Sequence, residues 1–257
     1  EQLTVYPDQE KHVIEEKIEI RTADGTSEGF LYCPEAGASY PGIIHLTDIG
    51  GIRPAQEEMA RRLAAQGYAV LMPNVFYRTG KLPLFDAPAK SMDERMQRFA
   101  KLSAPLSAEA LTRDAASYVD FLAGRASVSQ GAMGVVGYCF TGKMALFAAK
   151  ARPGKIAAAA SFHGGGLATD APDSPHLALP AIKARLYFGH ATNDRSMPAE
   201  AIAKLDQALQ AWGGRYQSEV YDGASHSWTV PDSPLYNQPQ AERAFEKLTE
   251  LFKETLL

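Results

Sequence analysis

The sequence predicts an α/β protein built on one mostly parallel central sheet with helices on both of its faces. Strand-like apolar runs alternate with helix-like amphipathic segments almost from end to end, an order in which strands pair in parallel through right-handed crossovers. The first two strand-like segments differ, because only the turn signal Asp24-Gly25 separates them, and they should form an antiparallel edge. Chemically versatile side chains directly follow several later strands. In such sheets functional groups gather at the carboxyl ends of the strands, so we expect a site there.

The amino-terminal half contains strands that are alternating or short apolar runs, and helices with apolar residues at three- and four-residue spacing. Pro54 opens the first helix and Gly67 ends it, because proline suits the first helical turn and glycine suits the position after the last turn. In chain order the predicted elements are strands at 12–20, 28–33 and 41–46, a helix within 53–67, a strand at 68–72 and a helix over 111–122.

The carboxyl-terminal half continues the same alternation. After a strand that stops at Gly137 come a helix to Ala151, strands at 156–162 and 184–189, a helix at 199–212, a strand at 215–221 and a closing helix marked by Phe245, Leu248 and Phe252. The sequence contains no repeat, no low-complexity tract and no clear linker. Residues 1–257 should therefore form a single domain.

Residues 75–107 interrupt this alternation. Their periodicity is weak, and prolines stand at Pro83, Pro88 and Pro105. The stretch is longer than a plain connection between two elements usually is. It is either a lid over the site or a long loop that is exposed to solvent.

Composition argues against several classes of protein. Of the 257 residues, 46% are hydrophobic and 22% are charged, which is typical of a globular protein with a sizeable core. The net charge of −4 and the lack of a dense Lys/Arg stripe argue against a nucleic-acid partner. No apolar run reaches the length of a membrane span, and the start of the sequence lacks the pattern of a secretory signal. Two cysteines, Cys33 and Cys139, are too few for a disulfide framework, so we expect both to be reduced and the protein to be cytoplasmic.

The most informative motif lies between Val135 and Thr141. An apolar run stops at Gly137, a cysteine follows at Cys139, and small residues lead into a helical pattern. That order predicts a nucleophile elbow, a strand-to-helix turn that exposes one side chain at the carboxyl edge of a sheet. The elbow needs small residues around the nucleophile, which Gly137 satisfies and Thr141 satisfies in part, with Gly142 one position later. The alternative is a structural cysteine, because free cysteines are commonly buried.

Two further loops supply the partners that a thiol nucleophile needs. Asp194 lies in the loop after the strand at 184–189, and His226 lies in the loop after the strand at 215–221. The chain order Cys139, Asp194, His226 is that of a hydrolase triad on this architecture. His226 would take the thiol proton and return it to the leaving group, while Asp194 would orient the imidazole. Taken singly, the aspartate could shape a turn and the histidine could be an ordinary surface residue; together, at the right strand ends and in the right order, the three favour a triad.

A backbone oxyanion hole should accompany this nucleophile. The N–H of Phe140 stands at a helix amino terminus, where the helix dipole favours negative charge. A second donor is expected from the loop at 47–51 after an earlier strand, and the N–H of Ile49 is the candidate. The pair Gly50-Gly51 in that loop is also consistent with a flexible turn.

Other histidines and aromatic residues have less specific interpretations. His163 comes too early in the chain order for a triad histidine and is interpreted as a structural or supporting residue, and His45 as a core residue within a strand. No histidines and carboxylates have the spacing of metal ligands. The aromatic side chains that could line the site, or simply pack beside it, are Phe76, Tyr77, Phe140 and Trp228.

Taken together, these motifs resemble the dienelactone hydrolase family of the α/β-hydrolase superfamily. The resemblance runs from about residue 14 to residue 252 and rests on the segments at 67–73 (GYAVLMP), 137–139 (GYC), 194–198 (DRSMP) and 223–227 (GASHS). A cysteine nucleophile separates this family from most α/β-hydrolases. The resemblance implies that Cys139, Asp194 and His226 form the triad, that no cofactor or metal is needed, and that ester or lactone bonds are cleaved through a thioester acyl-enzyme.

The resemblance also implies roles for charged residues. The family places an acidic side chain of the oxyanion loop against the resting thiol, and Asp48 occupies that position, where glutamate is usual. Founding members bind the carboxylate of a dienelactone with two arginines; one position is Val230 here, and the other falls near Arg95 or Arg98. We therefore expect a small-molecule ester or lactone substrate and a monomer or small homo-oligomer. The alternatives are a general carboxylesterase or thioesterase of the same fold and a non-catalytic ligand-binding member.

Overall fold

A computed structural model describes residues 13–85, 87 and 89–257, and the strands in these residues form one sheet. The strands are β1 (Ile14–Thr22), β2 (Gly25–Cys33), β3 (Gly42–Leu46), β4 (Ala69–Pro73), β5 (Met133–Tyr138), β6 (Ile156–Phe162), β7 (Arg185–Asn193) and β8 (Tyr216–Ser225). Across the sheet their order is β1-β2-β4-β3-β5-β6-β7-β8. β2 pairs antiparallel with β1 and β4, and the other neighbouring strands are parallel. The predicted mostly parallel sheet with an antiparallel edge is thus confirmed.

Helices cover both faces of this sheet, as the sequence predicts. They are α1 (Pro54–Ala64), α2 (Met92–Ser103), α3 (Ala108–Ala123), α4 (Gly142–Ala151), α5 (Ala199–Trp212) and α6 (Gln238–Leu256), with 3-10 turns at Cys139–Thr141 and Pro175–Ala181. Leu63 of α1 and Leu248 of α6 lie in one buried apolar cluster, whereas Leu111 of α3, Met144 of α4 and Leu205 of α5 lie in another. Burying each such side chain contributes about 1.5–3 kcal/mol, so both faces of the sheet are needed for stability.

Helix α2 was not predicted from the sequence. It lies within the segment 75–107, and its first turn is capped by Ser91, whose Oγ accepts a hydrogen bond from the N–H of Glu94 at 3.1 Å. Its apolar spacing is misleading, because Met92 and Met96 are exposed. The Ser91-x-x-Glu94 capping pattern was the signal that could have predicted it.

The residues before Val13, together with Asp86 and Pro88, lie outside the described residues. The predictions for the start of the sequence, including the first residue of the strand at 12–20, therefore also lie outside them. None of the helices in the described ranges is long and apolar enough to cross a membrane.

The sheet places the loops that matter for function at one edge. Strands β3, β5, β6, β7 and β8 are parallel, so their carboxyl ends point the same way. The loops after four of them begin with Thr47, Cys139, His163 and Asp194, and His226 follows the fifth. Residues separated by almost 180 positions in the chain are thereby brought to one rim.

Candidate active site

Cys139 lies in a tight turn between β5 and α4. Its φ of +56° is in the left-handed region, which costs a residue with a side chain about 1–3 kcal/mol unless the surroundings impose it. A Cβ atom at Gly137 would lie 2.3 Å from the carbonyl oxygen of Thr141, so the turn admits only glycine at that position. The thiol is reduced and partly exposed. The cysteine is therefore not sealed in the core.

Thr141 and Gly142 close the other side of the turn. The Oγ1 of Thr141 accepts a hydrogen bond from the N–H of Tyr138 at 3.0 Å and donates to the carbonyl oxygen of Leu46 at 2.9 Å. A Cβ atom at Gly142 would lie 2.4 Å from the Oγ of Ser161. The position that must be small is thus Gly142, while Thr141 ties the turn to the end of β3.

The side chains of Cys139, His226 and Asp194 lie in hydrogen-bond contact. His226 Nε2 is 3.0 Å from Cys139 Sγ, and His226 Nδ1 is 2.7 Å from Asp194 Oδ2. The imidazole is partly exposed, whereas the carboxylate is almost completely buried, with side-chain exposures of 29% and 2%. The sulfur and the imidazole are therefore close enough for direct proton transfer.

Ser196 is a second partner of the Asp194 carboxylate. Its N–H and its hydroxyl both donate to Asp194 Oδ1, at 2.8 and 2.6 Å. Its Oγ also lies 3.3 Å from His226 Nδ1. The sequence did not single out Ser196, although an aspartate followed two residues later by a serine is typical of a local side-chain-to-backbone turn.

The hydrogen bonds of this cluster set its protonation. Burial lowers the pKa of His226, but its hydrogen bonds to Asp194 and Cys139 outweigh burial and raise that pKa to about 10. Burial likewise raises the pKa of Asp194, but hydrogen bonds from His226 and Ser196 outweigh it and hold the pKa below its usual value. Protonation of the imidazole beside an ionised carboxylate is therefore favoured.

The loop after β3 presents backbone N–H groups next to this cluster. The Asp48 carboxylate accepts a hydrogen bond from the N–H of Gly50 at 2.9 Å. The main-chain carbonyl oxygen of Asp48 accepts one from the N–H of Gly51 at 3.0 Å. In the part of the chain that the structure describes, no hydrogen bond uses the N–H of Ile49. Phe140, partly exposed, begins the turn that leads into α4. Both predicted oxyanion donors thus belong to loops at the same rim.

Asp48 forms an ion pair that the sequence did not indicate. Two nitrogens of the Arg53 guanidinium donate to the Asp48 carboxylate at 2.7 and 2.9 Å, and Arg53 also donates to Asp232 at 2.7 and 3.0 Å. The described hydrogen bonds of the Asp48 carboxylate run to Arg53 and Gly50. Direct contact between Asp48 and the resting thiol stays a prediction.

The two arginines predicted as candidate carboxylate anchors both lie on α2. Arg98 donates to the carbonyl oxygen of Ala87 and to Glu94, each at 2.6 Å. Arg95 is exposed, and its guanidinium lies 5.3 Å from the ring centre of Phe99. Neither arginine is described in contact with Cys139 or His226, so their role stays a prediction.

The predicted aromatic residues occupy three different surroundings. Phe76 and Trp228 are completely buried, so neither has accessible surface for a ligand in this structure. Phe140 is partly exposed beside Cys139, and its ring centre lies 6.2 Å from that of Phe76. The hydroxyl of Tyr77 accepts from Thr22 and donates to Asp114, which ties it to the antiparallel edge of the sheet.

The two histidines interpreted from the sequence as structural, His45 and His163, are both buried, as is His190. Burial lowers the pKa of His45 to about 4, and its Nε2 lies 2.8 Å from the Oε1 of Gln56. Burial also lowers the pKa of His163 well below its usual value, and its ring centre lies 5.3 Å from that of His226. Within the described ranges, no three His, Cys, Asp or Glu side chains are grouped so that they could hold a metal ion.

This sheet topology, with a strained cysteine turn after β5 and with Asp194 and His226 after β7 and β8, defines the α/β-hydrolase fold. The family model of the dienelactone hydrolase family matches residues 27–256. The chain belongs to the dienelactone hydrolase family, and so to a family of hydrolases.

Relatives agree with this membership, and a solved structure agrees with the fold. The carboxymethylenebutenolidase of Rhodococcus opacus is 30% identical over 233 residues, which cover 88% of this chain and 86% of that protein. The carboxymethylenebutenolidase of Pseudomonas putida is 29% identical over 237 residues, which cover 91% and 94%. The crystal structure of the dienelactone hydrolase from Anabaena variabilis shares the fold, with a TM-score of 0.67, 20% identity and coverage of 95% of this chain and 99% of that one.

Proposed function

We propose that this protein hydrolyses carboxylic ester or lactone bonds, with Cys139 as the nucleophile, His226 as the acid–base group and Asp194 as the orienting carboxylate. The observation that carries the proposal is the unbroken contact from Sγ to Nε2 at 3.0 Å and from Nδ1 to Oδ2 at 2.7 Å. A nucleophile in reach of a base, which a third group orients, is the arrangement that activates a thiol.

In the first half-reaction the thiol proton passes to His226 Nε2 and the sulfur attacks the carbonyl carbon of the substrate. A carbon–sulfur bond forms and the carbonyl oxygen becomes an oxyanion. When this intermediate collapses, the ester carbon–oxygen bond breaks and the leaving oxygen takes the proton from Nε2. The products are an alcohol, which in a lactone is the hydroxyl of the opened ring, and a thioester on Cys139.

In the second half-reaction a water molecule attacks the thioester carbon while Nε2 of His226 takes its proton. The carbon–sulfur bond then breaks, the carboxylic acid leaves, and the sulfur recovers a proton from His226. The raised pKa of His226 supports the first half-reaction, because an imidazole that takes up the thiol proton leaves the sulfur as the thiolate, which is the reactive form. Asp194 stays ionised and stabilises the imidazolium throughout.

The oxyanion of each tetrahedral intermediate would be bound by the N–H groups of Ile49 and Phe140. Each backbone donor aimed at a developing negative charge stabilises the transition state by roughly 3–4 kcal/mol. The absence of a described hydrogen bond for the N–H of Ile49 supports this role, because that donor needs no rearrangement before it binds.

We propose a small lactone as the substrate, with neutral carboxylesters or thioesters as the alternative. The relatives from Rhodococcus opacus and Pseudomonas putida are named carboxymethylenebutenolidases, and a butenolide is an unsaturated lactone. The proposal needs no partner other than this small molecule. A cytoplasmic location and a monomer or small homo-oligomer stay predictions.

Replacement of Cys139 tests the proposed chemistry. The variant Cys139→Ala should lose at least ~10³-fold in the turnover of an activated ester such as p-nitrophenyl acetate, because no thioester can form. Cys33→Ala is the matched control, since it removes the buried thiol of β2 and should keep turnover near the wild-type value. A Cys139→Ala variant that melts normally and still hydrolyses the ester would refute the nucleophile.

A comparison of substrates tests the proposed substrate class. We expect kcat/KM for a carboxymethylene-substituted butenolide to exceed that for neutral p-nitrophenyl esters and for acyl thioesters of similar acyl size. Equal or greater activity on the neutral esters would leave the chemistry in place and assign the protein to the general esterases.

A further inference from the structure

The four residues after β6, which we call the 163–166 segment, contact the loops that carry Cys139 and Asp194. The N–H of Gly165 donates to the carbonyl oxygen of Cys139 at 3.3 Å. The N–H of Gly166 donates to the carbonyl oxygen of Ser196 at 2.9 Å, and Ser196 in turn binds Asp194. This segment therefore joins two loops whose catalytic candidates are 55 positions apart in the chain.

The same segment contacts the loop that carries the histidine. His163 Nε2 lies 2.8 Å from the Oγ1 of Thr229, three residues after His226. The His163 ring meets the His226 ring edge-to-face at 5.3 Å and the Trp228 ring edge-to-face at 5.1 Å. All three loops of the proposed triad are thus held by one short stretch of chain.

The backbone of this segment is held in an unusual conformation. His163 has a φ of +40°, and its N–H donates to the carbonyl oxygen of Gly189 on β7 at 2.8 Å. Such a φ is uncommon for a residue with a side chain and persists where the surrounding contacts impose it. Ser161 and Phe162 pair with β7, which fixes the point where the segment begins and so the position of the His163 ring.

The His163 ring supplies a restraint that the triad contacts lack. The hydrogen-bond contacts with Cys139 and Asp194 use opposite nitrogens of the His226 imidazole, so they leave the ring free to tilt about the line that joins those nitrogens. A ring packed edge-to-face against it opposes that tilt. His163 is completely buried, and burial lowers its pKa well below the ordinary value, which disfavours a charge that would repel a protonated His226.

We propose that the 163–166 segment is a positioning element for the triad, and that the hydrogen bond between His163 and Thr229 is the contact through which it holds His226 in line with Cys139. The inference rests on the proposed function. Neither His163 nor Thr229 is placed in contact with substrate, and both act through His226. A displacement of a reacting group by 1 Å can cost about 10²-fold in rate, so a loss of alignment should be measurable.

Two substitutions of Thr229 separate hydrogen bonding from packing. Thr229→Val keeps the shape and removes the hydroxyl, whereas Thr229→Ser keeps the hydroxyl and removes a methyl group. We expect Thr229→Val to lower kcat about 10-fold with KM within about 2-fold, because alignment and not substrate binding is lost. We expect Thr229→Ser to restore most of kcat.

Alkylation of Cys139 by iodoacetamide at pH 7 measures the same alignment without an ester substrate. The Thr229→Val variant should be alkylated several-fold more slowly, because Cys139 depends on an aligned His226 for its reactive form. If the wild-type protein is alkylated at Cys139 but hydrolyses no ester, the proposed function fails while the positioning role is still tested. Thr249→Val, which removes a hydroxyl from α6, should match the wild-type protein in both measurements.

A glycine substitution tests the segment independently of Thr229. A Cβ atom at Gly165 would lie 3.0 Å from the Cβ and the Oγ of Ser196, so Gly165→Ala should displace Ser196 and lower kcat more than it raises KM. Gly154→Ala, where a Cβ meets nothing within 4 Å, is the control. The proposal is overturned if Thr229→Val retains the wild-type kcat and alkylation rate, or if Thr229→Ser is the more damaged of the two Thr229 variants.

Discussion

At the residue scale, the imidazole of His226 lies 3.0 Å from the sulfur of Cys139, so the pKa of His226 should depend on that sulfur. Burial lowers the pKa of His226, whereas Asp194 and Cys139 together raise it to about 10. Without the sulfur, His226 loses one of the two hydrogen-bond partners that raise its pKa. We therefore expect Cys139→Ala to lower the pKa of His226 toward its ordinary value of about 6.5, with Asp194 keeping it above that value.

A proton NMR titration of the imidazole Cε1–H would measure this change. In Cys139→Ala, His226 should release its proton at lower pH than in the wild-type protein. Cys33→Ala should leave the titration where it is, because Cys33 is buried on β2, away from His226. An unchanged His226 titration in Cys139→Ala would show that the sulfur does not interact with the imidazole.

Thr141 should be a stability residue rather than an active-site residue. Its hydroxyl is fully buried and binds the N–H of Tyr138 and the carbonyl oxygen of Leu46. Thr141→Val leaves both backbone groups without that partner, which should cost about 2–3 kcal/mol in urea unfolding. Thr255→Val, near the end of α6, should cost less than about 0.5 kcal/mol. Equal losses in the two variants would contradict a special role for Thr141.

The sequence could place residues at strand ends, but it could not reveal residues whose role depends on contacts between loops. Cys139, Asp194 and His226 each directly follow a strand, and their chain order matches the one expected for a triad, which stays a prediction. Ser196 and Thr229 have no comparable signal, because their importance depends on contacts with side chains 30 to 66 positions away. The sequence also could not show that Trp228 and Phe76 are completely buried.

At the element scale, α2 and α3 begin with the same kind of cap but differ in how well they are packed. Ser91 accepts from the N–H of Glu94, and Ser107 accepts from the N–H of Ala110, both at 3.1 Å. Helix α3 is anchored by a buried stripe, whereas α2 has Leu102 as its buried residue. Loss of a serine cap costs about 1 kcal/mol, but the cost should appear in different measurements.

We expect Ser107→Ala to lower the free energy of global unfolding by about 1 kcal/mol, because α3 unfolds with the core. We expect Ser91→Ala to leave global unfolding almost unchanged and to speed hydrogen exchange across residues 92–103. Mass spectrometry of exchanged peptides would measure the second effect. A global loss in Ser91→Ala as large as that in Ser107→Ala would mean that α2 is part of the cooperative core.

Helix α4 should depend on the glycine at its start. A Cβ atom at Gly142 would lie 2.4 Å from the Oγ of Ser161 and 2.8 Å from the Cα of Gly164, so helix and β6 loop would have to separate. Gly142→Ala should destabilise the protein by about 1–3 kcal/mol, although alanine favours a helix elsewhere. Gly154→Ala, in the loop after the same helix, should be close to neutral in the same urea titration. A neutral Gly142→Ala would show that the two backbones can move apart without cost.

At the scale of the whole molecule, alternation of strands and helices predicted the parallel sheet, the antiparallel edge and the rim that carries the site. The order of the strands could not be predicted in the same way. β4 lies between β2 and β3, so the chain passes the place of β4 on its way from β2 to β3 and later crosses β3 on its way from β4 to β5. That order depends on which apolar faces fit together, and apolar spacing along the sequence does not encode it.

The loop after β3 and the loop before α6 are joined by charge. Arg53 lies between Asp48, in the loop after β3, and Asp232, in the loop before α6, across 179 positions of sequence. The Asp48 side chain is 9% exposed and that of Asp232 is 46% exposed, so the pair with Asp48 is the stronger contribution. The Arg53–Asp48 pair also holds the loop that carries Ile49.

Replacement of Arg53 should therefore affect the whole molecule. Arg53→Met leaves the nearly buried Asp48 carboxylate without a cation and should cost about 2–3 kcal/mol of unfolding free energy, because an uncompensated buried charge is expensive. The double variant Arg53→Met with Asp48→Asn should recover part of that loss, and the cycle of single and double variants measures the coupling. Arg113→Met, which breaks exposed pairs with Asp24 and Glu109, should cost at most about 0.5 kcal/mol. If Arg53→Met loses no more stability than Arg113→Met, the charge bridge between these two loops contributes nothing to the fold.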